Sequence, residues 1–321
     1  MTNRLAVLDL WRVIAAFAVV TLHAQPFSKL APTFNLIITQ GATRLAVPFF
    51  LVASGYFLAQ TFQRGRFRLW ASKIFKMYVI WMVIYAPIWL SSLDGQDHVG
   101  FRAIKMLVIG YYHLWFLIAL LLSASLLFVL VQKNREHMLI PTICAGFLFG
   151  FGMQYLYFYV PDGDILKIIK MGNLNRTFFG FAFPYLAVGY LISIYGEFRF
   201  FIQKNSVYFV LLGVALLFVE QAINVTFAER IYFSDNLVSV SILAPTAFVI
   251  LLSSETSLSA IAKFLAPFSL AVYLVHIGIL FILDAYTSFG NVEKWLLTCM
   301  FSAILAAFLL LPIRPLRWLI R

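Results

Sequence analysis

The chain is 321 residues long, 63% hydrophobic and only 12% charged, with a mean hydropathy of +0.92, which is more apolar surface than a water-soluble fold can hide. A net charge of +11 would suit a nucleic-acid binder, but the basic residues sit in short loops between hydrophobic runs, so membrane topology explains the sign and no nucleic-acid partner is expected. Cys144 and Cys299 each stand alone in an apolar run and read as packing residues, with neither a disulfide nor a metal site.

Apolar runs able to cross about 30 Å of hydrocarbon, which takes about 20 residues of helix, recur at 5–24, 44–61, 77–93, 107–131, 139–158, 177–195, 206–224, 237–253, 265–283 and 295–312. The expected fold is all-α: a polytopic membrane bundle of about ten transmembrane helices, forming a single domain over 1–321 with no separate soluble part. The first run reads as a retained helix rather than a signal peptide, because Asp9 and Arg12 interrupt it and no small-residue cleavage site precedes Gln25. On this map Lys and Arg number 14 on one side and 9 on the other, with Arg12 inside the first helix. That bias puts both termini in the cytoplasm, with the densest basic cluster between the second and third helices. Glu136, Glu197 and Glu255 then fall on the cytoplasmic side. Asp94, Asp97, Asp162, Asp164, Glu229, Asp235, Asp284 and Glu293 fall outside, in loops polar enough to meet a hydrated acceptor.

The first helix, "LDLWRVIAAFAVVTLHAQ", carries three ionisable groups where each needs a partner or a task. Asp9 and Arg12 are one turn apart and can neutralise each other. Arg12 and His23, eleven residues apart, share a stripe but stand about 16 Å apart along the axis, too far for direct contact. Ala16 on that stripe leaves room for a long substrate lying along the helix. The plainer alternative makes Asp9 and Arg12 an interfacial anchor and His23 a cap before Pro26.

"LDLWRVIAAFAVVTLH" resembles the opening of the acyltransferase-3 family of integral membrane acyltransferases, whose mark is Arg, ten residues, then His; Arg12 and His23 match it. "VPFFLVASGYFLA" (Pro48, Phe49, Phe50, Ser54, Gly55, Tyr56), "YYHLWFLIALLL" (His113, Trp115, Phe116) and "FSLAVYLVHIGIL" (Ser269, Tyr273, His276) resemble later blocks of that family in the same order. The wording is most similar to bacterial surface-polysaccharide O-acetyltransferases of the enterobacterial common antigen type. One departure concerns the segment after the second helix: many relatives have an Arg-rich stretch ending in Tyr-Pro, whereas "RGRFRLWASKIFKMYVIW" has Lys73 and Lys76 and no proline after Tyr78. Bidentate guanidinium geometry is lost there, leaving Arg64, Arg66 and Arg68 to supply it.

The resemblance implies O-acyl transfer, most simply O-acetyl transfer, in the bacterial cytoplasmic (inner) membrane. The donor is acetyl-coenzyme A or another short acyl-coenzyme A, a substrate rather than a permanently bound cofactor. The acceptor is a hydroxyl of a cell-surface glycan or its lipid-linked precursor. It also assigns His23 as general base, and Asp9 and Arg12 join it in the expected catalytic set, Arg12 on the thioester arm. Arg64, Arg66, Arg68, Lys73 and Lys76 suit the coenzyme phosphates, or else only fix topology and meet lipid headgroups. Ser54, Tyr56, His113, Trp115 and Glu220 complete the expected substrate-binding set. A covalent role for Ser54 lacks a neighbouring base in the sequence, and small residues there also serve helix packing. His113 and His276 also fit as structural histidines in aromatic surroundings. Glu220 and Asn224 are a polar pair that either lines the acceptor path or bonds a neighbouring helix, and Tyr111, Tyr112, Tyr157 and Tyr159 are rim aromatics able to stack on a sugar. The alternatives are a secondary transporter or exporter of a small polar solute or glycan intermediate, which would carry internal repeats not evident between 1–155 and 156–321, and a membrane scaffold that binds no acyl-coenzyme at all.

Overall fold

A computed structural model describes residues 6–95, 97–133, 135–172, 174–228, 234–254 and 259–311. Arg4, Arg230, Arg314, Arg317, Arg321, Glu229 and Glu255, which enter the topology reading, lie outside them, as does the side chain of Lys263. Among the described residues fifteen α-helices follow in chain order: α1 (Ala6–Ala24), α2 (Pro32–Gln40), α3 (Ala46–Gln63), α4 (Phe67–Ile84), α5 (Ala86–Ser91), α6 (Val99–Ile109), α7 (Trp115–Gln132), α8 (Leu139–Tyr159), α9 (Asp164–Gly172), α10 (Phe183–Ile194), α11 (Gly196–Lys204), α12 (Ser206–Phe227), α13 (Val238–Ser253), α14 (Ser259–Tyr286) and α15 (Asn291–Leu309). No strand occurs among the described residues.

The chain is an all-α polytopic membrane bundle. Among the described residues seven helical stretches are long and apolar enough to cross a membrane, or eight if the pair Phe178–Ile194 and Gly196–Lys204, bent by 103°, counts as one. The difference from ten has local causes. The run 77–93 is broken at Tyr85, where α4 ends and Pro87 occupies the first turn of α5; α4 also begins early enough to take in Arg68, Lys73 and Lys76. The run 177–195 opens with a π-helical turn at Phe178–Ala182 before the short α10. At 16 residues, α13 is short for a span. Segments read as loops hold further helices: α2 between the first two runs, and α6 and α9 in the expected exterior loops.

Two apolar cores flank α1. Ala15 and Val19 face one, built from α3, α7, α8, α10 and α13. Ala16 and Val20 face the other, built from α4, α5, α14 and α15. Ala16 is therefore a packing residue rather than the clearance expected of it. α3 and α10 meet through glycine: a Cβ on Gly55 would lie 1.8 Å from the Leu186 carbonyl oxygen, and one on Gly189 2.0 Å from that of Val52. Small residues are what allow backbones to approach this closely in membranes. At the periphery, α12 turns Val207, Leu211, Phe218 and Phe227 outward, each more than 60% exposed, and buries Gly213, Gln221 and Asn224. An apolar outside over a polar inside suits lipid as solvent.

Candidate active site

Asp9 and Arg12 form the expected pair, Arg12 Nη1 donating to Asp9 Oδ1 at 2.7 Å, with the guanidinium 5.0 Å from the Phe57 ring. At the other end of α1 the helix is terminated by Gln25, at φ 47°, and Pro26, so His23 is not the cap. Its ring lies instead 5.1 Å from Tyr112 and 5.5 Å from His276. His276 in turn lies 5.1 Å from His113. Three of the five histidines of the chain thus gather where α1, α14 and the start of α7 meet, yet among the described residues no group of His, Cys, Asp and Glu is arranged to hold a metal ion.

His276 has a fixed tautomer. Its Nδ1 lies 2.7 Å from the Tyr273 carbonyl and 3.2 Å from that of Val272; carbonyls only accept, so in the neutral ring Nδ1 carries the proton and Nε2 the lone pair. That Nε2 is buried and meets no partner among the described residues. The His113 nitrogens have no hydrogen bond of good geometry, only an approach to the Leu274 backbone. The carbonyl of His113 accepts from Tyr273 Oη at 2.5 Å.

A cavity of about 420 Å³ runs between the two cores. Arg12, Ser54 and Thr61 lie along it with Phe57 and Trp70, and Tyr273 lines it too, bringing it up to the histidine cluster. A second cavity of about 270 Å³ shares Phe57, Thr61 and Trp70 with the first and carries Arg64, Arg66 and Lys73. Arg68 and Lys76 are exposed and line neither. Ser54 lines the main cavity, but its hydroxyl donates to the Phe50 carbonyl of its own helix at 2.7 Å.

The remaining expected residues are placed elsewhere. Tyr56 packs against Phe57 and Phe248 in the core. Glu220 accepts from Tyr155 Oη at 2.6 Å and from the backbone N–H groups of Val238 and Ser239 at 2.7 and 3.0 Å; it caps α13 and so bonds a neighbouring helix. Asn224 likewise accepts from Tyr159 Oη at 2.8 Å. Trp115 sits under the Arg176 guanidinium, 5.1 Å from the ring.

Sequence reasoning missed the ionic knot beside this tryptophan. Arg44 Nη1 donates to Asp235 Oδ1 at 2.6 Å and Arg176 Nε to Asp235 Oδ2 at 2.5 Å, while Arg44 also bonds the Thr39 carbonyl and Gln40. Arg44, which opens the apolar run 44–61, and Asp235, assigned from the sequence to an exterior loop, are 4% and 5% exposed. Both arginines lie within electrostatic reach of His23. The signal that marked α1, a charge at the edge of an apolar run, was present at Arg44 as well, whereas His276 stands inside its run.

The acyltransferase-3 family, described as "Acyltransferase domain", matches residues 5–316. The chain belongs to this family of integral membrane acyltransferases. It is also 26% identical over 346 aligned positions to an amino-acid racemase of Enterococcus faecalis, covering 99% of this chain and 47% of that protein. A serine/alanine racemase of Enterococcus gallinarum is 30% identical over 67% of this chain and 32% of its own length. The chain thus spans less than half the length of these relatives, whose names describe the longer proteins. No solved structure matches.

Proposed function

We propose that this membrane acyltransferase moves an acetyl or other short acyl group from acyl-coenzyme A to a hydroxyl of a cell-surface glycan or its lipid-linked precursor, in the bacterial cytoplasmic membrane, with both termini in the cytoplasm. The observation that carries the reading is the adjacency of the two cavities, which share Phe57, Thr61 and Trp70: Arg64, Arg66 and Lys73 lie at one end, Arg12 along the passage, and Tyr273, beside the histidine cluster that includes His23, at the other. The mouth offers cations to the coenzyme phosphates, and the passage is lined mostly by apolar side chains, which suits its acyl-bearing arm. Its volume of about 420 Å³ lies within the usual range for small-molecule sites.

In this mechanism His23 takes the proton of the acceptor hydroxyl as its oxygen attacks the thioester carbonyl carbon. The carbon–sulfur bond then breaks, and the departing coenzyme thiolate recovers the proton from the imidazolium. The Nε2 lone pair of His276, with Nδ1 committed to backbone carbonyls, is available to accept from the cluster and orient it, a positioning role. Ring positioning of this kind is how a base is kept in its working tautomer.

The test compares purified His23→Ala and Arg12→Ala for acetyl transfer and for coenzyme binding. His23→Ala should lower transfer by about 10²- to 10⁴-fold while binding persists. Arg12→Ala should weaken donor engagement and also reduce the folded fraction by leaving Asp9 unpaired. Asp9→Asn with Arg12→Gln should restore expression without restoring activity. Near-normal turnover in His23→Ala would refute the mechanism.

A further inference from the structure

At the His23 end of α1, opposite the Arg64–Lys73 mouth, lies a cleft of about 530 Å³ lined by Arg102 and Lys105 of α6, Lys170 of α9, and Tyr111 and Tyr112. No carboxylate lines it among the described residues; the nearby Asp284 is bonded to Lys294 at 2.6 Å. Burial and the neighbouring Arg102 push the Lys105 ammonium below its usual range, the response of a cation that lacks a counter-charge.

The cleft adjoins the base through Tyr112. Tyr112 lines it and also lies 5.1 Å from the His23 ring. Its backbone is held in the left-handed region at φ 48°, just after Gly110 at φ 95°; such strain persists where surrounding structure fixes a side chain for a task. One wall is α6, anchored by Tyr78 Oη donating to the Leu107 carbonyl at 2.7 Å. No residue of α6 is buried, and Phe101, Ile104 and Val108 form an apolar stripe about 60% exposed. A helix of this kind, apolar on one face and basic on another, lies in the membrane interface.

We propose that this cleft binds the acceptor, and that the acceptor is a membrane-anchored lipid joined through phosphate to a hydroxyl-bearing sugar. Arg102, Lys105 and Lys170 hold the phosphate, Tyr111 and Tyr112 stack on the sugar, the lipid leaves past the apolar face of α6, and a hydroxyl reaches His23. The inference rests on the acyl-transfer reading of His23.

Binding of farnesyl-diphosphate-linked N-acetylglucosamine to the full chain in phosphatidylcholine nanodiscs tests it, alongside acetyl-coenzyme A binding to the same samples. Wild type and His23→Ala should both bind the lipid-linked probe. Arg102→Gln with Lys105→Gln and Lys170→Gln should bind it about 100-fold more weakly with coenzyme binding unchanged. Equal binding by the triple variant overturns the proposal, as does equally effective competition by phosphatidylglycerol, which would make the cleft a general headgroup site. Loss of coenzyme binding by wild type, with the probe still bound through the three cations, would instead refute the acyl-transfer reading alone.

Discussion

Asp235→Asn tests the ionic knot beside His23. Asp235 answers two guanidiniums at once, Arg44 at 2.6 Å and Arg176 at 2.5 Å, and its side chain is 6% exposed. Removing its charge while keeping its shape leaves two cations facing each other in a site with little access to water. Breaking one buried pair costs about 3–5 kcal/mol, which is roughly two to four powers of ten in the folded-to-unfolded ratio. The expected result is a marked loss of monodisperse protein on size exclusion in detergent and a lowered thermal midpoint. Adding Arg176→Gln removes one of the two stranded cations and should recover part of that loss, since residues in one network are not additive. Arg176→Gln alone leaves the Arg44–Asp235 pair intact and should cost less than Asp235→Asn. A wild-type midpoint for Asp235→Asn, or a double variant no better than the single, would refute the reasoning.

Gly55→Ala should strongly reduce folded protein because its Cβ would meet the Leu186 backbone, whereas Gly152→Ala, which points into open space, should be neutral or slightly stabilising; detergent melts of both decide it. Glu220→Gln should lower the thermal midpoint by the equivalent of about 1–2 kcal/mol, because an amide is a poorer acceptor for the Val238 and Ser239 N–H groups; an unchanged midpoint would remove its capping role. Single cysteines at Asp97 or Gly163 should react with a membrane-impermeant maleimide in intact cells; labelling only after permeabilisation would reverse the topology.

Composition and the spacing of apolar runs made the helical membrane fold legible, and the charges of α1 pointed to Arg12 and His23, because an ion in hydrocarbon needs a reason that composition alone can register. Contacts between distant segments were not legible. Arg44 and Asp235 are 191 residues apart, and each, taken alone, looks like an ordinary loop-end charge. His276 lies among apolar neighbours and reads as packing until the fold sets it beside His23. The break at Tyr85 did have a signal in Pro87, which was overridden by the unbroken hydrophobicity around it. Gly55 was visible as part of a motif, but the Leu186 carbonyl that requires it belongs to another helix.

The glycine contact between α3 and α10 also bears on how a substrate is admitted. One face of α3 supplies Phe50, Ser54, Phe57 and Thr61 to the main cavity, while Gly55 is fastened by close contact to the α10 backbone. That wall has no slack, so any opening must come from the opposite side. There α14 contributes Ala266, Ser269 and Leu270 around Pro267, where the ring removes a helical hydrogen bond and gives the helix a hinge. On the proposed acyl-coenzyme A reading, an entering donor is expected to push aside the first turns of α14 while α3 stays still, an asymmetric gate with one fixed jamb and one swinging leaf.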